Sequence, residues 1–145
     1  MSILVTGGAG YIGSHMVHDL ADAGERVIVL DNLSTGFDWA IRKGVPLVVG
    51  DTGDQNLVGQ ILREHGVQSI IHFAASAIVP DSVKDPLGSY KNNTVNSRAL
   101  IETAVKIACA SSFFHRPARS MAIRRKCQSP RTRWLRRSRP MAGPS

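Results

Sequence analysis

One stretch near the start constrains the fold more than any other: Val5-Thr6-Gly7-Gly8-Ala9-Gly10-Tyr11-Ile12-Gly13. It follows the apolar run Ile3-Leu4-Val5 and precedes a helix-patterned segment. In that setting a glycine-rich turn lets backbone approach a pyrophosphate, and the next helix aims its N-terminal amides at the anion. Gly7, Gly10 and Gly13 carry the spacing. Asp31 lies eighteen residues past Gly13, at the end of a second apolar run, Val27–Leu30. A carboxylate there can accept the 2′-hydroxyl of an adenosine ribose and repels a 2′-phosphate. These residues point to NAD rather than NADP. The other reading of the stretch is a glycine-rich turn without a ligand.

Apolar runs alternate with amphipathic segments over the first 107 residues. Strands are expected at Ile3–Val5, Val27–Leu30, Pro46–Val49 and Ser69–Phe73. Helices are expected from Tyr11 to about Ala23, from Asn56 to His65, and from Leu87 to about Lys106. In the first helix Ile12, Met16, Val17 and Leu20 share a face; Gly24 and Gly66 stop the first two helices. Continuous apolar strands separated by such helices specify a parallel sheet covered on both faces. The expected class is α/β, a partial Rossmann-like, doubly wound sheet of about four strands, with ligands at the carboxyl ends of the strands.

Charge divides the chain at residue 107. Residues 1–107 carry eight Lys/Arg and eleven Asp/Glu, a net of −3. Residues 108–145 carry ten Lys/Arg and no acid, a net of +10. The expected domains are therefore 1–107, a dinucleotide-binding half-domain, and 108–145, a disordered basic tail. Cys109 and Cys127 both lie in the tail and form no C-x-x-C. His15 and His18 share a helix face, but no histidine spacing suggests a metal site. Met1 leads straight into the first apolar run, and no apolar run is long enough to span a membrane. The expected location is the cytoplasm.

Thr6 to His15 resembles the T-G-x-x-G-x-x-G start of the extended short-chain dehydrogenase/reductase superfamily. Asp31-Asn32-Leu33-Ser34-Thr35-Gly36, Gly50-Asp51-Thr52-Gly53-Asp54, His72-Phe73-Ala74-Ala75-Ser76 and Tyr90-Lys91-Asn92-Asn93-Thr94-Val95-Asn96 narrow the resemblance to the UDP-glucose 4-epimerases. It covers residues 1–107 almost continuously. Other nucleotide-sugar epimerases and dehydratases share the first motif.

The resemblance implies NAD as cofactor and a role for each segment. Tyr11 and Ile12 would line the pyrophosphate through their backbone. Asp31, Asn32 and the loop Ser34, Thr35, Gly36 would hold the adenosine ribose. Asp51 and Thr52 would meet the adenine. Phe73, Ala74, Ala75 and Ala77 would border the nicotinamide, and Asn92 would contact the cofactor near the reacting centre. Structural roles stand beside these: Asp51 as a helix cap, Phe73 as core, Asn92 and Asn96 as solvated surface. A UDP-sugar and a homodimer belong to the intact family enzyme.

Family chemistry also requires an S-S-x segment and a Tyr-x-x-x-Lys pair, whose tyrosine takes the sugar 4-OH proton while NAD takes the hydride. The only tyrosines are Tyr11 and Tyr90, and neither has a lysine four residues on. No catalytic residue is therefore assigned, and the chain is expected to be inactive. Reverse translation of the tail suggests why. Read from the third base of each codon, Met121-Ala122 and Met141-Ala142 each force a glycine codon, preceded by a codon that permits tyrosine. Phe114–Pro117 permits S-S-T, and Ser138–Ala142 permits S-P-Y-G. A one-base deletion near codons 106–108 would put these segments out of frame. The rival reading is a nucleic-acid-binding arm, with Trp134 stacking among Arg131 to Arg139. An out-of-frame tail would instead bind polyanions without specificity.

Overall fold

The computed structural model describes residues 1–107, and the backbone of 111–116 and 119–121. Strand β1 (Ser2–Thr6) is buried along its whole length. Its side chains alternate, so Ile3 and Val5 join one core and Leu4 the other. Strand β2 (Arg26–Asp31) does the same, with Val27 and Val29 on the first face and Ile28 and Leu30 on the second. Strands β3 (Leu47–Val49) and β4 (Ser69–His72) flank this pair.

Helix α1 (Tyr11–Asp22) covers the first face through Val17, and Ala9 and Ile41 close that core. Helix α2 (Gln55–Glu64) covers the second face through Val58, Ile61 and Leu62. Helix α5 (Asn96–Lys106) joins it with Leu100 and Ala104. Two short helices, α3 (Val79–Lys84) and α4 (Pro86–Tyr90), lead through a π-helical turn, Lys91–Val95, into α5. A single turn of this wider kind inside a helix often marks a functional position.

Strands β5 (Ser111–Arg116) and β6 (Arg119–Met121) complete the sheet, in the order β3-β2-β1-β4-β5-β6. All neighbours are parallel except β5 and β6. The order reverses between β1 and β4, and in a Rossmann-like sheet the crevice lies at that switch point.

The four expected strands and three expected helices are present, with ends shifted by a residue or two. Three features differ from expectation. The segment after Phe73 contains α3, which no apolar periodicity announces. The expected helix from Leu87 to Lys106 is interrupted by the π turn. Most consequentially, the sheet does not end at β4. Ser111–Phe114 pairs along β4, with Ser69 opposite Ser111 and His72 opposite Phe114. An exposed parallel edge offers unpaired amides and carbonyls, a template on which another stretch of chain can pair. Apart from β5 and β6, the expected disordered tail lies outside the described residues.

Candidate functional site

The site begins at the turn between β1 and α1. Gly7 takes φ +70°, in the left-handed region. A Cβ on it would lie 2.5 Å from the Ala74 nitrogen, so the loops after β1 and β4 touch here. A Cβ on Gly13 would overlap the Gly7 carbonyl oxygen. Only glycines let the chain fold back this tightly. Gly10 is the N-cap of α1 and supplies no side-chain cap. The first intrahelical bond runs from Ser14 N–H to the Gly10 carbonyl. The amides of Tyr11, Ile12 and Gly13 therefore precede the helical ladder and are open to an anion at the positive end of the helix.

Asp31 closes the next part of the rim. It is buried at the end of β2. Its Oδ2 accepts from Ala9 N–H at 2.9 Å, and its Oδ1 accepts from Leu33 N–H at 2.8 Å. A carboxylate has about four acceptor positions, so lone pairs remain for further donors. Asn32 Oδ1 accepts from Ser34 N–H, which shapes the loop through Ser34, Thr35 and Gly36. Phe37 N–H donates to the Ala9 carbonyl and holds that loop against the glycine turn.

Asp51 follows β3. It accepts from Gly53 N–H and from Asn96 Nδ2, both at 2.7 Å and both on Oδ1. The cap of α2 is Asp54, whose side chain accepts from Asn56 and Leu57 N–H, so Asp51 does not have the capping role. Asn96 is buried rather than solvated surface. Phe73 packs against the first core and also lines the cleft.

The β4 end is organised by polar side chains. Asn93 grips Ser76 from both sides, accepting from its N–H at 2.7 Å and donating to its carbonyl at 2.9 Å. Asn92 Nδ2 donates to Ser76 Oγ at 2.8 Å. Below them, Ser97 Oγ donates to the Asn93 carbonyl at 2.9 Å. Having donated its proton, Ser97 accepts from His72 Nε2–H at 2.9 Å, and Thr6 then donates its hydroxyl to His72 Nδ1 at 2.6 Å. Burial pushes the His72 pKa down to about 4, so the ring is neutral near pH 7.

These segments surround one cleft of about 680 Å³. Every residue singled out from the sequence lines it: Gly7, Gly10, Tyr11, Ile12, Gly13, Asp31, Asn32, Ser34, Thr35, Gly36, Asp51, Thr52, Phe73, Ala74, Ala75, Ala77 and Asn92. Ile12 corrects one expectation. It is 53% exposed at the cleft rather than inward with Val17. Ser76, Asp81, Asp85, Gly88 and Ser89 also line the cleft, and sequence reasoning did not find them. The paired asparagines beside Ser76 were the available signal. No Lys or Arg is among the described lining residues, so the positive potential in the cleft comes from amides and the helix dipole. Among the described residues no cluster could hold a metal, and no helix is long and apolar enough to cross a membrane.

Solved structures share this fold. A Thermus thermophilus UDP-glucose 4-epimerase in complex with NAD superposes with a TM-score of 0.74 at 40% identity, over 77% of this chain and 36% of that one. A Thermotoga maritima UDP-glucose 4-epimerase with UDP-glucose gives 0.76 at 37% identity, over 79% and 37%. In sequence, the UDP-glucose 4-epimerase of Azospirillum brasilense is 49% identical over 104 residues, 72% of this chain. The chain spans 30% of that protein's length. The model of the NAD dependent epimerase/dehydratase family matches residues 3–121, past the change in charge at 107. By that match, the chain belongs to the NAD dependent epimerase/dehydratase family.

Proposed function

We propose that the cleft binds NAD, as the cofactor-binding part of a UDP-glucose 4-epimerase, and that the 145-residue chain does not turn over UDP-sugars. The observation that carries the reading is the cleft itself. An uncapped α1 N-terminus, a buried carboxylate at the end of β2 and a second carboxylate after β3 border one cavity at the strands' carboxyl ends. The open amides of Tyr11 and Ile12 suit a pyrophosphate. Asp31, with Asn32 and the Ser34–Gly36 loop, suits the hydroxyls of the adenosine ribose and disfavours a 2′-phosphate. Asp51 and Thr52 border the adenine, and Phe73, Ala74, Ala75, Ala77 and Asn92 border the nicotinamide. NAD supplies a hydride acceptor. No residue present supplies the partner base, because neither tyrosine is followed by a lysine at the fourth position.

The second part of the reading is that residues 108–145 are translated out of frame. Ten cations without an acid, together with two forced glycine codons, support it. The two strands within this segment are compatible with it. Ladder hydrogen bonds are made by main chain, so a stretch of unrelated side chains can occupy the edge beside β4. The reading places the protein in the cytoplasm.

The test is to incubate the full chain with NAD and UDP-galactose and follow UDP-glucose. No conversion is expected. Inserting one base near codon 107, with the downstream gene intact, is expected to restore S-S-T, S-P-Y-G and conversion. Conversion by the unrepaired chain, or a repaired frame that lacks Tyr-x-x-x-Lys, contradicts the reading.

A further inference from the structure

Asp51 is held asymmetrically. Both of its side-chain hydrogen bonds fall on Oδ1: one from Gly53 N–H two residues on, one from Asn96 Nδ2 at the start of α5. Two donors saturate an sp² oxygen. Oδ2 has no partner among the described residues, and Asp51 lines the cleft. Asn96 is 7% exposed and cannot swing away freely. Its own Oδ1 sits over Gly53, where an added Cβ would lie 2.5 Å from it. Gly53 thus keeps the space that Asn96 needs to reach Asp51.

A carboxylate oxygen with no proton is a pure acceptor. Beside a purine it favours an amino group and repels a carbonyl at the same ring position. We propose that Asn96 is the positioning residue for the cofactor's base: by occupying Oδ1 of Asp51 from α5, it leaves Oδ2 to select a 6-amino purine over a 6-oxo purine. The inference rests on the NAD reading above. It adds a specificity device built from residues forty-five positions apart, joining the loop after β3 to the first turn of α5. Without Asn96, the Asp51 side chain keeps its local bond to Gly53 N–H and is less tightly fixed about χ1 and χ2. Selection then weakens even though the carboxylate remains.

The experiment is a titration of the full chain with NAD and with nicotinamide hypoxanthine dinucleotide, whose base carries a 6-oxo group and an N1–H in place of the 6-amino group and bare N1. Wild type is expected to prefer NAD on the order of 10- to 100-fold, the range of one hydrogen bond to a charged acceptor. Asn96→Leu is expected to lose most of that preference by weakening NAD more than the hypoxanthine analogue. Gly53→Ala is expected to do the same, since the nearest atoms to its methyl are in the side chains of Asn96 and Asp51. Where Asn96→Leu does not give a cooperative melt, Gly53→Ala carries the test. An undiminished preference in the folded variants overturns the role of Asn96 and leaves the NAD reading standing. A wild type that binds both dinucleotides equally also overturns it. A wild type that binds neither overturns the NAD reading, and this inference with it.

Discussion

Ala9 and Asp31 are twenty-two residues apart and joined by one buried hydrogen bond, Ala9 N–H to Asp31 Oδ2 at 2.9 Å. The carboxylate assigned to the ribose also holds the glycine loop assigned to the pyrophosphate. Its other oxygen accepts from Leu33 N–H, and Leu33 sits at φ +56°, a conformation that costs a non-glycine residue about 1 kcal/mol. Asp31 therefore shapes both sides of the cleft before any ligand arrives. Replacing it with Asn turns one acceptor into a donor facing an N–H. Asp31→Asn is expected to lower stability by about 1–3 kcal/mol and to weaken NAD binding together. Denaturant unfolding and NAD titration of the same variant check this; normal stability with normal NAD affinity contradicts it.

The glycine loop makes a second expectation. Gly13→Ala places a methyl against the Gly7 carbonyl, and both atoms belong to backbone that cannot step aside. The turn must open, which separates the α1 amides from the loop after β4. NAD binding is expected to fall below detection, with a stability loss of roughly 2 kcal/mol or more. Calorimetric titration and thermal melting measure the two effects; a variant that still binds NAD like wild type shows that the loop does not hold the phosphates.

Much of this architecture was legible because local signals and the global fold agree. β1 and β2 read as strands because both are apolar throughout, as strands covered on two faces must be. Asp31 was found by its place after such a run. Elements that depend on distant partners were not legible. Asn96 read as possible surface because its partner, Asp51, lies forty-five residues back in the sequence and leaves no mark on helical spacing. α3 has no buried residue, so no periodicity announces it. β5 was missed for a different reason. The charge of the whole tail outweighed its first residues, Ser111-Ser112-Phe113-Phe114, which contain half the chain's phenylalanines and no charge. Ile12 follows the apolar pattern of α1 but sits in its first turn, where the cleft rather than the core is the neighbour.

His72 gives a pH expectation. Its pKa falls from 6.5 in the unfolded chain to about 4 in the fold because burial disfavours the charged ring. Between these values the unfolded chain binds the extra proton, so acidification favours unfolding. The neutral ring's contribution is fully present above about pH 6.5, declines as pH falls toward 4, and is gone below that. The loss is on the order of 3 kcal/mol. Carboxylates titrate in the same window, so the comparison is with His72→Gln, which cannot take up a proton. Unfolding free energies from pH 7 to 4 are expected to fall more steeply in wild type than in the variant. Parallel curves contradict the buried neutral histidine.

The basic segment yields a prediction about its own boundaries. Ending the chain after Met121 removes eight Lys/Arg and leaves β5 and β6 in place. That truncation is expected to abolish heparin and RNA binding while NAD affinity is kept. Binding by the full chain is expected to be similar for RNA, DNA and heparin, and to fall steeply with salt through counterion release. Ending the chain after Ile107 also removes β5 and bares the β4 edge, so that form is expected to self-associate. Light scattering and salt-dependent binding distinguish the cases. A strong preference for one nucleic-acid sequence, lost on Trp134→Ala, contradicts an out-of-frame origin and supports a selected arm.

NAD recognition is proposed for the cleft built around Asp31 and the α1 N-terminus. Parallel calorimetric titrations of the full 145-residue chain with NAD and NADP test it most directly. Saturable binding of NAD with one site per chain is expected, and NADP weaker by about tenfold or more, because a 2′-phosphate would face the Asp31 carboxylate. Equal or tighter binding of NADP, or no binding of either dinucleotide, would contradict it.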